Sequence, residues 1–245
     1  MLSLEHICWD SPDGKQLLKD LNLEIPEGRL IVVTGPNGGG KTTLAKIIAG
    51  IEKPLSGRIM LDGEDISNKD VTERAKMGFS FAFQQPVRFK GITVRRLIEV
   101  AAGRKLKELE LCEILSAVGL CAKEYIDREV NATLSGGEIK RIEIATVIAR
   151  NSKIAIFDEP EAGIDLWSFK NLIEVFRKMH EENKNTLIII SHQERILRIA
   201  DEIVLVANGT IQEKGSREDM MKLLRFRAVQ QEAQDCGREE AVFSE

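Results

Sequence analysis

Of 245 residues, four are cysteine, three histidine and one tyrosine, and no apolar run approaches the ~20 residues that span a bilayer. Cys8, Cys112, Cys121 and Cys236 are scattered, with no CxxC or Cys/His spacing. They read as unpaired thiols of a reducing, cytoplasmic compartment, not as ligands of a metal or cluster held by this chain alone. A cationic excess is also missing: 35 Lys and Arg against 39 Asp and Glu leave a net charge of −4. That disfavours nucleic acid as a partner, because such binders usually carry a basic face. No secretory leader is legible, since Leu2–Leu4 is short and Glu5, His6 and Asp10 follow closely. Any service to a membrane is therefore expected through a partner, without direct membrane insertion.

A chain of this length buries a full core as one α/β domain, or one domain with an inserted subdomain. Leu2–Trp9 and Leu21–Ile25 alternate as strands around Pro12-Asp13-Gly14, and Pro26-Glu27-Gly28 makes the next turn. Leu30–Thr34 is continuously apolar, as in a strand covered on both faces. A glycine loop follows, then a helix over Thr42–Ala49 ended by Gly50. Arg58–Leu61 with Asp62-Gly63 reads as a hairpin strand and Met77–Phe83 as another strand. From Thr93 to Arg150 the periodicity is helical: Leu97, Val100 and Ala101 share one face, and Leu111, Ile114, Leu115 and Val118 another. Buried strands return at Ile154–Phe157, Thr186–Ile190 and Ile203–Val206, with a helix over Asp165–His180. Asn208-Gly209 is a hairpin turn into Thr210–Glu213. The expected organisation is one domain over 1–226. A core and β portion occupy about 1–85 and 153–226, a helical insert about 86–152, and a polar tail 227–245.

Three motifs carry chemistry. In Gly35-Pro36-Asn37-Gly38-Gly39-Gly40-Lys41-Thr42 the backbone N–H groups of Asn37, Gly38, Gly39, Gly40, Lys41 and Thr42 suit a triphosphate, aided by the N-terminal end of the following helix. Lys41 is expected at the β- and γ-phosphates, Thr42 on Mg²⁺ and Thr43 at the α-phosphate. Asp158 closes a buried strand, where an acid needs a cation or donor; Mg²⁺ is the natural one. Glu159 is expected to point elsewhere, because side chains alternate along a strand. Third, Leu134-Ser135-Gly136-Gly137-Glu138 opens a helix running to about Ala149; Ser135, Gly136 and Gly137 form a second anion site.

These three motifs, in this order, resemble the ATP-binding cassette (ABC) ATPases over nearly the whole chain. The resemblance implies an α/β fold: a P-loop NTPase core of ABC type, an N-terminal antiparallel β subdomain and an inserted α-helical subdomain. It also implies Mg-ATP hydrolysis in a dimer that sandwiches two ATP molecules, with Ser135, Gly136, Gly137 and the D-loop acid Asp165 meeting the nucleotide of the facing copy. In the family, the position of Glu159 polarises the attacking water and that of His192 contacts the γ-phosphate. Gln84 resembles the Q-loop glutamine that touches Mg²⁺ and the water, with Gln85 the competing register. Departures are Ser11, where an adenine-stacking aromatic is usual, with Trp9 two residues earlier as platform or as core packing. Glu138 also replaces the commoner glutamine. Phe81-Ala82-Phe83-Gln84-Gln85-Pro86-Val87, Ser135–Arg141 and Asp158–Asp165 resemble the ATPase of the SUF iron–sulfur cluster assembly system. That implies a soluble SUF-type (SufB/SufD-like) scaffold as partner, moved by ATP-driven closure of two cassettes. The alternative is the ATP-binding subunit of a transporter, gripping a membrane permease with the same surface.

Overall fold

Leu30–Thr34, Ile154–Asp158 and Thr186–Ile190 are buried at every position. Alternation along an extended chain sends neighbours to opposite faces, which sorts these runs between two cores. Leu30, Val32, Ala155, Phe157, Leu187 and Ile189 enter one core. Ile31, Val33, Ile154, Ile156, Ile188 and Ile190 enter the other. The three strands are the centre of a sheet covered on both sides, the situation in which strands lose polar alternation.

The computed structural model describes residues 1–131, 133–181 and 184–227, apart from the side chains at 166 and 167. The chain runs β1 (Leu2–Asp10), β2 (Gln16–Ile25), β3 (Leu30–Thr34), α1 (Lys41–Ala49), β4 (Ser56–Leu61) and β5 (Glu64–Asp65). Next come α2 (Val71–Lys76), β6 (Phe79–Ala82), α3 (Val94–Ala102), α4 (Glu108–Ala117), α5 (Ala122–Tyr125) and α6 (Gly136–Arg150). β7 (Ile154–Asp158), α7 (Leu166–Glu181), β8 (Thr186–Ile190), α8 (Glu194–Leu197), β9 (Glu202–Ala207) and β10 (Thr210–Ser216) follow, with helix again over 217–227. One antiparallel sheet has the order β2-β1-β4-β5; the other has the order β10-β9-β3-β8-β7-β6. The second is parallel apart from the β9–β10 hairpin. Its turn residues Asn208 and Gly209 both have positive φ, as a two-residue hairpin requires. The core containing Ile31 fills the space between the two sheets around α1; the one containing Leu30 lies under α3, α4, α6 and α7. Among the described residues no helix is long and apolar enough to cross a membrane.

Two expectations need correction. On α3 the fully buried face is Val94 and Ile98, while Val100 of the expected face is 57% exposed. Apolar residues occupy two adjoining stripes of this short helix, and packing against α6 selects one of them. The strand expected over Met77–Phe83 covers only Phe79–Ala82, because Met77 ends α2 and Gly78 turns with φ 99°. Helix α2 itself went unread, although Asp70 and Glu73 carry its signal: a reciprocal capping box in which each side chain accepts from the other's backbone N–H. The polar tail lies outside the described residues except for Arg227, which pairs with Glu213 at 3.4 Å.

Candidate functional site

The glycine loop is shaped by what surrounds it. A Cβ on Gly35 would sit 2.0 Å from the Val206 carbonyl oxygen, and one on Gly39 2.9 Å from it, so the loop lies flat against β9 only without side chains there. Gly40 takes φ 102° to turn into α1, whose N-terminus has neither a side-chain cap nor an acid in its first turn. The donors of this first turn and its partial positive charge face the loop. Asn37 and Gly38 are exposed at the rim, Gly39 and Gly40 are buried, and Thr42 and Thr43 are half-buried. Lys41 is 7% exposed and donates to the carbonyls of Gly35 (2.8 Å) and Pro36 (2.9 Å). Burial lowers its pKa, while Glu159 and Asp158 pull it back up.

Asp158 follows Ile154 and Ile156 on the strand face that packs on α1, and there it meets Thr42, whose hydroxyl donates to Oδ1 at 3.2 Å. Burial holds its carboxyl above the usual carboxylate range, against the Thr42 hydrogen bond. A hydroxyl and a buried carboxylate side by side, with the Gln84 amide hydrogen-bonded to Glu159, the next residue after Asp158, form the hard oxygen donor set that suits Mg²⁺. Strand alternation does not set the direction of Glu159: β7 has ended and Glu159 adopts φ 44°, a costly conformation for a non-glycine residue. Its N–H donates to the Ile190 carbonyl (3.0 Å), and its Oε2 accepts from Gln84 Nε2 at 2.6 Å. Gln84 is the glutamine that makes this contact. His192 is exposed just beyond β8. Its neighbour Ser191 donates to Glu161 Oε1 at 2.5 Å, and burial pushes the Glu161 carboxyl up.

Ser135 caps α6. Its hydroxyl accepts from Glu138 N (3.3 Å), and Glu138 Oε2 accepts from Ser135 N (2.7 Å). The unusual Glu138 is thus the closing half of a capping box, and it also accepts from the Tyr125 hydroxyl. That bond, the Ser135 bonds and Arg128 bring its carboxyl down to about 2. Gly137 is closely approached: a Cβ there would be 2.7 Å from the Gly163 carbonyl oxygen. Arg141 bridges the Gly137 carbonyl (3.3 Å) and Ser168 Oγ (3.1 Å), and Ser168 donates to Asp165 through both its N–H (3.0 Å) and its hydroxyl (2.7 Å). The segments around Ser135 and Asp165 therefore form one unit. Among the described residues no hydrogen bond joins that unit to the glycine loop. Trp9 is half-buried against the core between the sheets, opposite Leu18, and Ser11 is occupied in a turn with Asp13 and Lys15.

The motif reading passed over the Lys140–Glu143 pair on α6 and buried Arg74 on α2. The signal of the pair was present: Lys140 and Glu143 stand among Ile139, Ile142 and Ala145 on a helix that packs on a core.

Residues 18–162 match the ABC transporter family. The chain is 39% identical to an uncharacterized ABC transporter ATP-binding protein of Methanocaldococcus jannaschii, over 84% of this chain and 86% of that one. It is 35% identical to a sulfate/thiosulfate import ATP-binding protein of Synechocystis sp., over 83% of this chain and 57% of that relative, so it spans little more than half of the importer subunit's length. The fold matches that of a dimeric ATP-binding cassette in a post-hydrolysis state bound to ADP and Pi, with TM-score 0.79 and 23% identity over 89% of this chain and 99% of that one.

Proposed function

This chain belongs to the ABC transporter family, and from that premise we propose that it is the ATP-hydrolysing subunit of a membrane transporter. The observation that carries the catalytic part is the convergence of Thr42, Gln84 and the consecutive pair Asp158-Glu159, drawn from three separate segments, beside the loop that opens α1. ATP is held by the N–H groups of residues 37–42 and by Lys41, which exchanges its two loop carbonyls for the β- and γ-phosphates. Thr43 adds a bond to the α-phosphate. Thr42, Asp158 and Gln84 would hold Mg²⁺, which neutralises phosphate charge when bound. Glu159 orients the attacking water and takes its proton as the water oxygen bonds to the γ-phosphorus. The bridging P–O bond breaks and ADP leaves. His192 donates to the γ-phosphate from the end of β8. Ser135, Gly136, Gly137 and Asp165 complete the site of a second copy, so turnover requires the chain to dimerise on ATP.

The partner surface is an apolar groove of about 210 Å³ lined by Phe81, Phe83, Val87, Phe89, Leu97 and Val100. Val87, Phe89 and Val100 are exposed in it, which supports docking of an apolar partner helix next to Gln84. The names of the relatives favour a permease over a cluster-assembly scaffold. The SUF-type scaffold stays as the second reading, because the segments at 81–87 and 158–165 carry its resemblance. Trapping Glu159→Gln with Mg-ATP and retrieving its partner from native membranes and from the soluble fraction tests both. Retention of a multispanning permease is expected; a soluble β-rich scaffold in its place transfers the function to cluster assembly. A Glu159→Gln protein that hydrolyses ATP like the parent sinks the role of Glu159.

A further inference from the structure

Helix α6 carries a buried ion pair that the ATPase site does not account for. Lys140 is fully buried, and its Nζ lies 3.5 Å from Glu143 Oε2 one turn on. Both side chains close on a single residue of another segment. Phe83 N–H donates to Glu143 Oε1 at 2.9 Å, and Lys140 Nζ donates to the Phe83 carbonyl. The two main-chain polar groups of Phe83 are thus both held by α6. Phe83 lies just past β6, whose last pairing with the sheet is Ala82 opposite Phe157. Its ring packs edge-on against Phe81 in the apolar groove, and the residue after it is Gln84, whose amide reaches Glu159.

A buried ion pair is poorly explained by stability. Desolvating both charges costs about what their attraction returns, and well-packed apolar replacements are often as stable. Burial does act on both here, lowering the Lys140 pKa and raising that of Glu143. What the pair achieves that apolar side chains cannot is to hold the main chain of one residue by its donor and its acceptor together, fixing the peptides on both sides of it.

We propose that Lys140 and Glu143 are positioning residues for Gln84: they clamp the Phe83 main chain to α6, so that the Gln84 amide stands at Glu159. Ser135, Gly136 and Gly137 open the same helix, and the Phe83 ring faces the groove. A shift of α6 against the sheet, imposed by a facing copy or by a partner in the groove, is thereby read out at the Gln84–Glu159 hydrogen bond. The proposal rests on the ATPase reading above.

The test is the double variant Lys140→Met/Glu143→Leu, which removes both charges and keeps an apolar filling. Its melting temperature should stay near that of the parent, because neither partner is left buried alone. Its kcat should fall about 10- to 100-fold while KM for ATP stays within about 3-fold, since misplacement of a catalytic group by an ångström is worth that much and residues 37–43 are untouched. Adding Gln84→Ala should then cost no more than about 2-fold further, because the pair acts through Gln84. Glu143→Gln, which keeps an acceptor for Phe83 N–H, should retain most of the activity. An unchanged kcat, or a Gln84→Ala loss that multiplies in full on top of the double variant, overturns the proposal. Should the double variant not fold, Lys140→Met/Glu143→Gln, which removes the donor to the Phe83 carbonyl and leaves no charge buried alone, carries the same cycle with Gln84→Ala. Glu159→Gln in the parent background is the separate control: undiminished turnover there sinks the ATPase reading itself, whatever the clamp variants do.

Discussion

Gly136 and Gly137 stand side by side in the first turn of α6, yet the structure assigns them opposite responses to an added methyl group. Replacing glycine with alanine in a helix is worth about 1 kcal/mol by propensity alone. At Gly136 a Cβ meets nothing within 4 Å, so that gain should appear as stability. At Gly137 the Cβ would come 2.7 Å from the Gly163 carbonyl oxygen, and the carbonyl must retreat by about 0.5–1 Å to reach ordinary contact. Overpacking of that kind costs about 1–3 kcal/mol, which cancels the propensity gain or exceeds it. The two variants should therefore differ by about 2–12 °C in Tm, Gly136→Ala being the more stable, at about 2–4 °C per kcal/mol for a chain of this size. Gly163 lies two residues before Asp165, whose position is tied through Ser168 and Arg141 back to Gly137. Displacing it should lower ATP turnover of Gly137→Ala about 10²-fold. Binding of an ATP analogue to the isolated chain should be spared, since residues 37–43 are unaltered. Thermal melts of both variants, with steady-state turnover and analogue titration of Gly137→Ala, make the comparison. If Gly137→Ala melts with Gly136→Ala, or turns over ATP at the parental rate, close packing of the two segments is not what requires glycine.

Arg74→Met should lower Tm by about 6–12 °C, corresponding to about 3 kcal/mol. The buried guanidinium donates to four carbonyls, those of Ile47, Ile48, Ile66 and Lys69, and so caps the C-terminal turn of α1; Arg74→Lys, which lacks the planar fork, should lie between. A melt within about 2 °C of the parent would remove that role. Lys41→Ala should weaken ATP-analogue binding about 30- to 100-fold, read by titration, because the charge-assisted contact to the phosphates is lost; equal affinity would place the phosphates elsewhere. Glu138→Gln has a pH signature. The Glu138 carboxyl sits at about 2 in the fold, below its ordinary value of 4.5, so its ionised form contributes stability above pH 4.5 that fades as pH falls toward 2. The gap in denaturant midpoint between parent and Glu138→Gln should be constant from pH 7 to 5 and narrow below that; a constant gap down to pH 3 would count against the Tyr125, Ser135 and Arg128 contacts as its cause.

Much of the site was legible because its chemistry is local. The glycine loop, the Ser135–Glu138 capping box and the Asp158-Glu159 pair each occupy a few consecutive residues, and strand and helix patterns on either side place them at element ends. Less legible was anything that depends on which of two apolar stripes is buried. Leu97, Val100 and Ala101 have as good a helical spacing as Val94 and Ile98, and only the presence of α6 separates core from groove. That strand alternation does not govern Glu159 was not legible, because the left-handed turn that ends β7 carries no glycine to announce it.

By itself the sequence determined the family, the order of the nucleotide-binding segments and the parallel strands that carry them, because short spacings and strand burial are written in neighbouring residues. The tertiary structure alone decided that Thr42 meets Asp158 across 116 positions, that Gln84 meets Glu159 across 75, and that Lys140 and Glu143 hold Phe83. These contacts are products of sheet order, β3 beside β8 beside β7 beside β6, and of where α6 crosses that edge. Such pairings arise from the packing of whole elements, which no window of neighbouring residues contains.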